Sequence, residues 1–154
     1  MQYISHSPEE TENIAAGLAV TLRGGDCVAL YGGLGAGKTA FVRGLARGLG
    51  IEAPVSSPTY AIVNVYKQEA RSDEILPPAS CTLSLVHFDM YRVSTWADLE
   101  SCGFFDYLDS GAVLAVEWSE SIASALPEEA LRVTIERGKE ENERVVEVDE
   151  RVCV

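Results

Sequence analysis

Basic residues are scarce. The 154 residues hold 12 Lys and Arg against 24 Asp and Glu, a formal charge of −12, so the clustered cations that grip a nucleic-acid backbone are missing. Apolar runs are short, and none approaches the roughly 20 residues of a spanning helix, which excludes a chain that crosses a membrane in that way. The opening MQYISHSPEETE has neither a basic patch nor an apolar core, so no secretory signal is expected. Cysteine and histidine are few as well. Cys27, Cys81, Cys102 and Cys153 stand too far apart for any C-x-x-C pair, and only His6 and His87 accompany them. That excludes a zinc site of four soft ligands and a dithiol redox motif; free thiols in a reducing cytoplasm are the expectation.

What is present suffices for a core. Hydrophobic residues make up 47% and charged ones 23%, and the length suits one domain over residues 1–154. Charge is unevenly placed. Between Cys27 and Ile51 there is no acid, while Lys38, Arg43 and Arg47 lie inside; between Val93 and Leu131 there are carboxylates and no Lys or Arg. A basic pocket in an acidic chain points to a small anionic ligand.

The periodicity alternates helix and strand. Ser7-Pro8-Glu9-Glu10 reads as a helix start, with Ile14, Leu18 and Leu22 as the apolar face and Gly24-Gly25 as the stop. Asp26–Tyr31 is a short buried strand. Gly32–Gly37 is a loop, and Lys38–Leu49 is a helix with Phe41, Val42, Leu45 and Leu49 inward. Tyr60–Tyr66 and Thr82–Phe88 read as strands around a polar loop, KQEARSDEILPPAS. Ser94 or Thr95 caps a short helix through Leu99, Phe104–Leu108 forms another turn, and Ala112–Val116 is a strand. Leu131–Glu136 and Arg144–Val148 flank a charged turn and pair as a C-terminal hairpin. The class is α/β: one P-loop NTPase-like domain with a mixed central sheet flanked by helices.

The chemistry concentrates in Gly32-Gly-Leu-Gly-Ala-Gly37-Lys38-Thr39, which fits G-x-x-x-x-G-K-[ST]. Glycines let backbone N–H groups wrap a phosphate without Cβ clashes, and the following helix aims its unsatisfied N–H groups at the same anion. Lys38 reaches the outer phosphates, and Thr39 offers its hydroxyl to Mg²⁺. A strand before and a helix after supply the required context. No N-K-x-D guanine reader occurs, so ATP is favoured. Metal and water need acids. Asp89 and Glu117 follow the ends of two predicted strands, where open α/β sheets place ligand groups. His87, in mid-strand, reads as a satisfied core or interface histidine.

Read in order, LYGGLGAGKTAFVRGLARGLG, VSSPTYAIVNVY, HFDMYR and VEW resemble the bacterial TsaE family. The resemblance covers about residues 17–120. It implies a Mg²⁺-dependent ATPase of tRNA threonylcarbamoyladenosine synthesis that works with the proteins TsaB and TsaD and meets tRNA through that complex. It implies ATP contacts from Gly33, Leu34, Gly35, Ala36, Gly37, Lys38, Thr39 and Ala40, with Trp118 stacked near the adenine. Ser57 and Thr59 fall in a switch-like loop. Asp89 takes the Walker B-like place, Glu117 is the catalytic or metal-linked carboxylate, and Thr39 and Glu117 are the residues implied for the metal. Two departures stand out: Gly33 occupies a place commonly held by an acid, and Ala40 one usually held by a second Thr. They bear on rate and affinity, while the lysine and hydroxyl stay.

The competing class is a P-loop small-molecule kinase. Such enzymes gather arginines around two sets of phosphates, whereas Lys67, Arg71 and Arg92 are the only cations between Ile51 and Leu131. A third is a nucleotide-binding scaffold without turnover. The acidic stretch from Val93 to Leu131 suits docking to a basic partner surface.

Overall fold

The apolar runs assemble into a seven-stranded mixed sheet in the computed structural model, which describes residues 1–59, 61–68 and 82–149. The chain runs through β1 (Gln2–Ser5), α1 (Pro8–Ala19), β2 (Cys27–Tyr31), α2 (Lys38–Gly48), β3 (Val63–Lys67) and β4 (Ser84–Asp89). It continues with α3 (Trp96–Ser101), α4 (Phe104–Leu108), β5 (Val113–Glu117), a 3₁₀ segment (Ser119–Ala125), β6 (Leu131–Arg137) and β7 (Arg144–Val148). The strand order is β1-β7-β6-β2-β5-β4-β3. The inner strands β6, β2, β5 and β4 are parallel; β3, β7 and β1 join antiparallel at the two sides.

Both faces of the inner strands are covered, as parallel sheets require. Alternation splits the strand residues between two cores. Val28, Leu30, Leu85, Val113 and Ala115 pack with Phe41, Val42 and Leu45 of α2. Cys27, Val86, Phe88, Leu114 and Val116 pack with Leu99, Phe104 and Ile122 on the opposite side. Phe88 meets Phe104 and Tyr107 edge-on at 5.4 and 5.7 Å. The Cys27 thiol, in the second core, is pushed up to about 12 by burial and then by Asp26 and Glu129, so it stays protonated and inert. Cys102 is also a free thiol, while Cys81 and Cys153 lie outside the described residues.

Several local expectations hold. Ser7 caps α1 by accepting from the Glu10 N–H at 3.1 Å, and Thr95 with Asp98 forms a reciprocal capping box on α3. The hydrogen bonds from Ser94 and Thr95 keep the Asp98 carboxyl below the ordinary range. Four differ. The strand expected from Tyr60 starts at Val63, because Ile62 takes a left-handed φ of 69° that an extended strand cannot continue through; Tyr60 lies outside the described residues. Most of the intervening polar loop, 69–81, also lies outside them. Strand β1 had no periodicity long enough to announce it. Finally, α1 ends at Ala19, well before the glycine pair; Ile14 and Leu18 pack half-buried against the core and Leu22 is buried in it, but the fully buried stripe of the helix is Thr11, Ala15 and Ala19.

Small residues explain that last difference. A Cβ on Gly44 would lie inside contact distance of the Glu12 carbonyl oxygen and 2.7 Å from the Ala15 Cβ; one on Gly48 would be 2.6 Å from the Ala16 carbonyl oxygen. The backbones of α1 and α2 therefore approach too closely for large side chains. Arg43 and Arg47 seal the contact by pairing with Glu12 at 3.0 and 3.6 Å; of these two cations of the expected basic pocket, Arg43 also lines a cleft shared with Lys38 and Thr39. Gly44→Ala should lower stability by about 2–3 kcal/mol through overpacking, and Tm by roughly 5–10 °C. Gly17, with open space around it, is the control: Gly17→Ala should stabilise by up to about 1 kcal/mol. Equal melting temperatures for the two variants would refute the close-packing account.

Candidate functional site

The loop after β2 is shaped by its glycines. Gly37 has φ 107°, a region closed to most residues, and it caps α2 without any side-chain hydrogen bond, so the first N–H groups of the helix face outward unclaimed. Gly32 passes so near the Ile135 carbonyl of β6 that a Cβ would collide with it. No acid lies in the first turn of α2, which leaves the positive end of the helix unopposed there.

Lys38 is 4% exposed, and its ammonium donates to the carbonyls of Gly32 (2.5 Å) and Gly33 (2.9 Å). It also sits 3.9 Å from the ring centre of Trp118. Burial pushes the ammonium below the usual lysine value, against the attraction of Glu117, Glu120 and Asp89. Trp118 itself has φ 57°, a left-handed conformation rare for a bulky residue, and its ring lies 4.8 Å from that of Tyr91. The indole thus faces the Lys38 ammonium and lines the same cleft.

Asp89 and Glu117 are the last residues of β4 and β5, and the parallel register sets them side by side. Glu117 Oε1 accepts from the Thr39 hydroxyl at 2.8 Å and bonds His87 Nε2 at 2.7 Å. Asp89 Oδ2 accepts from Ser57 (3.3 Å) and Thr59 (3.4 Å), and Oδ1 from the Tyr91 N–H at 3.0 Å. The switch-like loop is thereby tied to the strand end, and the hydroxyls of Ser57 and Thr59 bond one another at 2.8 Å. The donors offered here are hard oxygens. The Thr39 hydroxyl and the Glu117 and Asp89 carboxylates are oxygen donors of the kind that Mg²⁺ takes.

These groups line one cleft of about 510 Å³, together with Leu34, Gly35, Ala36, Gly37 and Ala40. Gly33 is set back, offering its carbonyl to Lys38, and a Cβ there would meet nothing within 4 Å, so the departure from an acid reflects no steric demand. The far wall of the cleft comes from Ser7, Pro8 and Thr11 at the start of α1 and from Asn142 and Arg144 of the C-terminal hairpin. Arg144 braces the loop by donating to the carbonyls of Ala36 (3.0 Å) and Gly35 (3.3 Å). Sequence reading missed this wall because nothing local links positions more than a hundred residues apart. His87 is the buried core histidine expected in mid-strand, and because it shares strand parity with Asp89 it points to the same face, where it meets Glu117.

The sequence pattern of the family described as "Threonylcarbamoyl adenosine biosynthesis protein TsaE" matches residues 5–146, nearly the whole described chain. The chain belongs to the TsaE family. The TsaE of Bacillus subtilis is 40% identical over 138 residues, spanning 89% of this chain and 78% of that one. The TsaE of Streptomyces coelicolor is 42% identical over 120 residues, 78% of this chain and 74% of its own. In three dimensions the chain is similar to a crystal structure of Bacillus subtilis YdiB, with a TM-score of 0.71 and 33% identity over 96% of this chain and 83% of that one. The TsaE match starts at residue 5 and reaches residue 146, so it takes in both the α1 wall and the hairpin wall of the cleft.

Proposed function

We propose that this TsaE-family protein binds ATP with Mg²⁺ and hydrolyses it in the service of tRNA threonylcarbamoyladenosine synthesis, working with TsaB and TsaD. One observation carries the reading: the Lys38 ammonium, the Thr39 hydroxyl and the carboxylates of Asp89 and Glu117 converge on a single cleft under the open end of α2. Each has a task. The backbone N–H groups from Gly35 to Ala40 cradle the phosphates, and Lys38 moves from its loop carbonyls to the outer ones. Thr39 and Glu117 hold Mg²⁺, which neutralises phosphate charge when bound. Glu117 and Asp89 are the groups placed to orient and deprotonate the attacking water, with Asp89 coupled to Ser57 and Thr59 so that the loop senses the outer phosphate. The wall of Ser7, Thr11 and Asn142 is left for the nucleoside. Trp118, beside Lys38, is then a reporter of phosphate binding.

Lys67, Arg71 and Arg92 are the only cations between Ile51 and Leu131, and of the two arginines lining the cleft Arg43 pairs with Glu12 while Arg144 braces the loop; this favours hydrolysis over transfer to a phosphorylated acceptor. tRNA, repelled by the acidic surface, is met through the partner proteins.

Titrating ATP while following Trp118 fluorescence tests the reading, in a Trp96→Phe background because Trp96 is 56% exposed and packs on Phe105. A saturable change is expected, with phosphate release that rises when TsaB and TsaD are added. ADP formed without free phosphate would instead indicate a kinase, and no nucleotide binding even with both partners would overturn the proposal.

A further inference from the structure

We infer that His87 is a positioning residue that decides which oxygen of Glu117 faces the cleft; the inference rests on the ATPase reading above. His87 is fully buried in mid-strand on β4, opposite Ala115 of β5. That small neighbour leaves room for the imidazole to lean toward the end of β5, where Nε2 meets Glu117 Oε1 at 2.7 Å. A carboxylate only accepts, so with Glu117 ionised Nε2 carries the hydrogen and donates it. Nδ1 then keeps a lone pair that finds no partner, and it is the one buried side-chain nitrogen or oxygen left unsatisfied among the described residues.

An orphaned ring nitrogen in a core costs stability, and an apolar side chain of similar size would fill the site without it. Packing therefore does not account for a histidine here; the bond to Glu117 does. Oε1 is held by two donors, Thr39 and His87. Both of the hydrogen bonds seen at this carboxylate fall on Oε1, which leaves Oε2 as the oxygen available to the cleft that Glu117 lines. Thr39 is the residue whose hydroxyl is wanted elsewhere, since it and Glu117 serve the same ion. Once that hydroxyl turns away, His87 is the remaining donor that keeps the carboxylate plane fixed and Oε2 forward. Outer partners of this sort typically change metal affinity by about 10–100-fold when removed.

The test compares His87→Leu, which deletes the donor, with His87→Gln, whose amide N–H₂ can replace Nε2–H. Mn²⁺ binding to each protein with a non-hydrolysable ATP analogue is read by electron paramagnetic resonance, alongside Tm and analogue affinity without metal. His87→Leu is expected to melt no lower than wild type and to bind the analogue alone within about threefold, yet to bind Mn²⁺ roughly 10–100-fold more weakly. His87→Gln should recover most of that loss. Should the leucine variant fail to fold, His87→Met removes the same donor. Unchanged Mn²⁺ affinity without the donor overturns the inference alone, as does a glutamine variant no better than the apolar one. Wild-type protein that binds no Mn²⁺ with the analogue overturns the ATPase reading and this inference together.

Discussion

Lys38→Ala should abolish measurable ATP turnover, with a loss of at least about 10²–10³-fold, the scale of removing one preorganised charge-stabilising donor. The ammonium is the only side-chain charge within the phosphate loop. Burial has already made it easier to part from water, and the carboxylates of Glu117, Glu120 and Asp89 hold it in the cleft. In the resting protein it satisfies the Gly32 and Gly33 carbonyls and lies against Trp118, so alanine removes loop hydrogen bonds as well. The loss is local to the loop, whose strand and helix are held by their own packing, and the fold should survive. Nucleotide titration together with circular dichroism checks both halves. A folded Lys38→Ala protein with wild-type affinity and turnover would end the phosphate-loop reading.

Glu117→Ala should keep ATP affinity within about tenfold while cutting turnover by at least roughly 10²-fold, the usual contribution of an acid–base group. Affinity survives because the loop and Lys38 hold the phosphates. Turnover falls because the carboxylate that ends β5 is the one set between Thr39 and His87. The alanine variant also strips buried His87 of its partner, which costs on the order of 1–3 kcal/mol. Glu117→Gln separates the two effects: the amide oxygen can still accept from Thr39 and His87, so stability should return while turnover stays low. Asp89→Ala is expected to loosen the Ser57–Thr59 loop and to raise the metal needed for activity. Normal hydrolysis by both Glu117→Ala and Asp89→Ala, with partners present, would show that the site has been drawn around the wrong carboxylates.

The contrast between Lys38 and Arg144 shows where sequence reasoning stops. Lys38 is legible because its chemistry is local: the glycines, the lysine and the hydroxyl are contiguous, and the strand before and helix after are each short-range patterns. The ends of β4 and β5 were legible too, since apolar runs of that length end in an acid twice, although each acid proved to be the last residue of its strand. The side of α1 that meets the core was legible, since Ile14, Leu18 and Leu22 all pack there, but not its closest-packed stripe: hydrophobicity ranks those residues above Ala15 and Ala19, whereas the distance between the helices is set by Gly44 and Gly48 on the other element. Arg43 and Arg47 looked like ligand cations from their place in an acid-free stretch; Glu12, across the α1–α2 interface, pairs with both, and only Arg43 also lines the cleft.

By itself, then, the order of residues determined the α/β class, the phosphate loop, the two strand-end carboxylates, the C-terminal hairpin and the kinship with TsaE, all of which rest on contiguous residues or on short periodicities. Only the tertiary structure decided that Glu117 stands between Thr39 and His87, that Trp118 lies over Lys38, and that α1 and the hairpin close the cleft. The physical reason is the parallel register. Neighbouring strands β2, β4 and β5 are separated in sequence by whole crossovers, so which of their end residues come within hydrogen-bonding distance depends on how helices of particular thickness pack on the sheet. No local preference encodes that distance. It emerges when Gly44 lets α2 settle against α1, and when Ala115 leaves the space into which His87 leans.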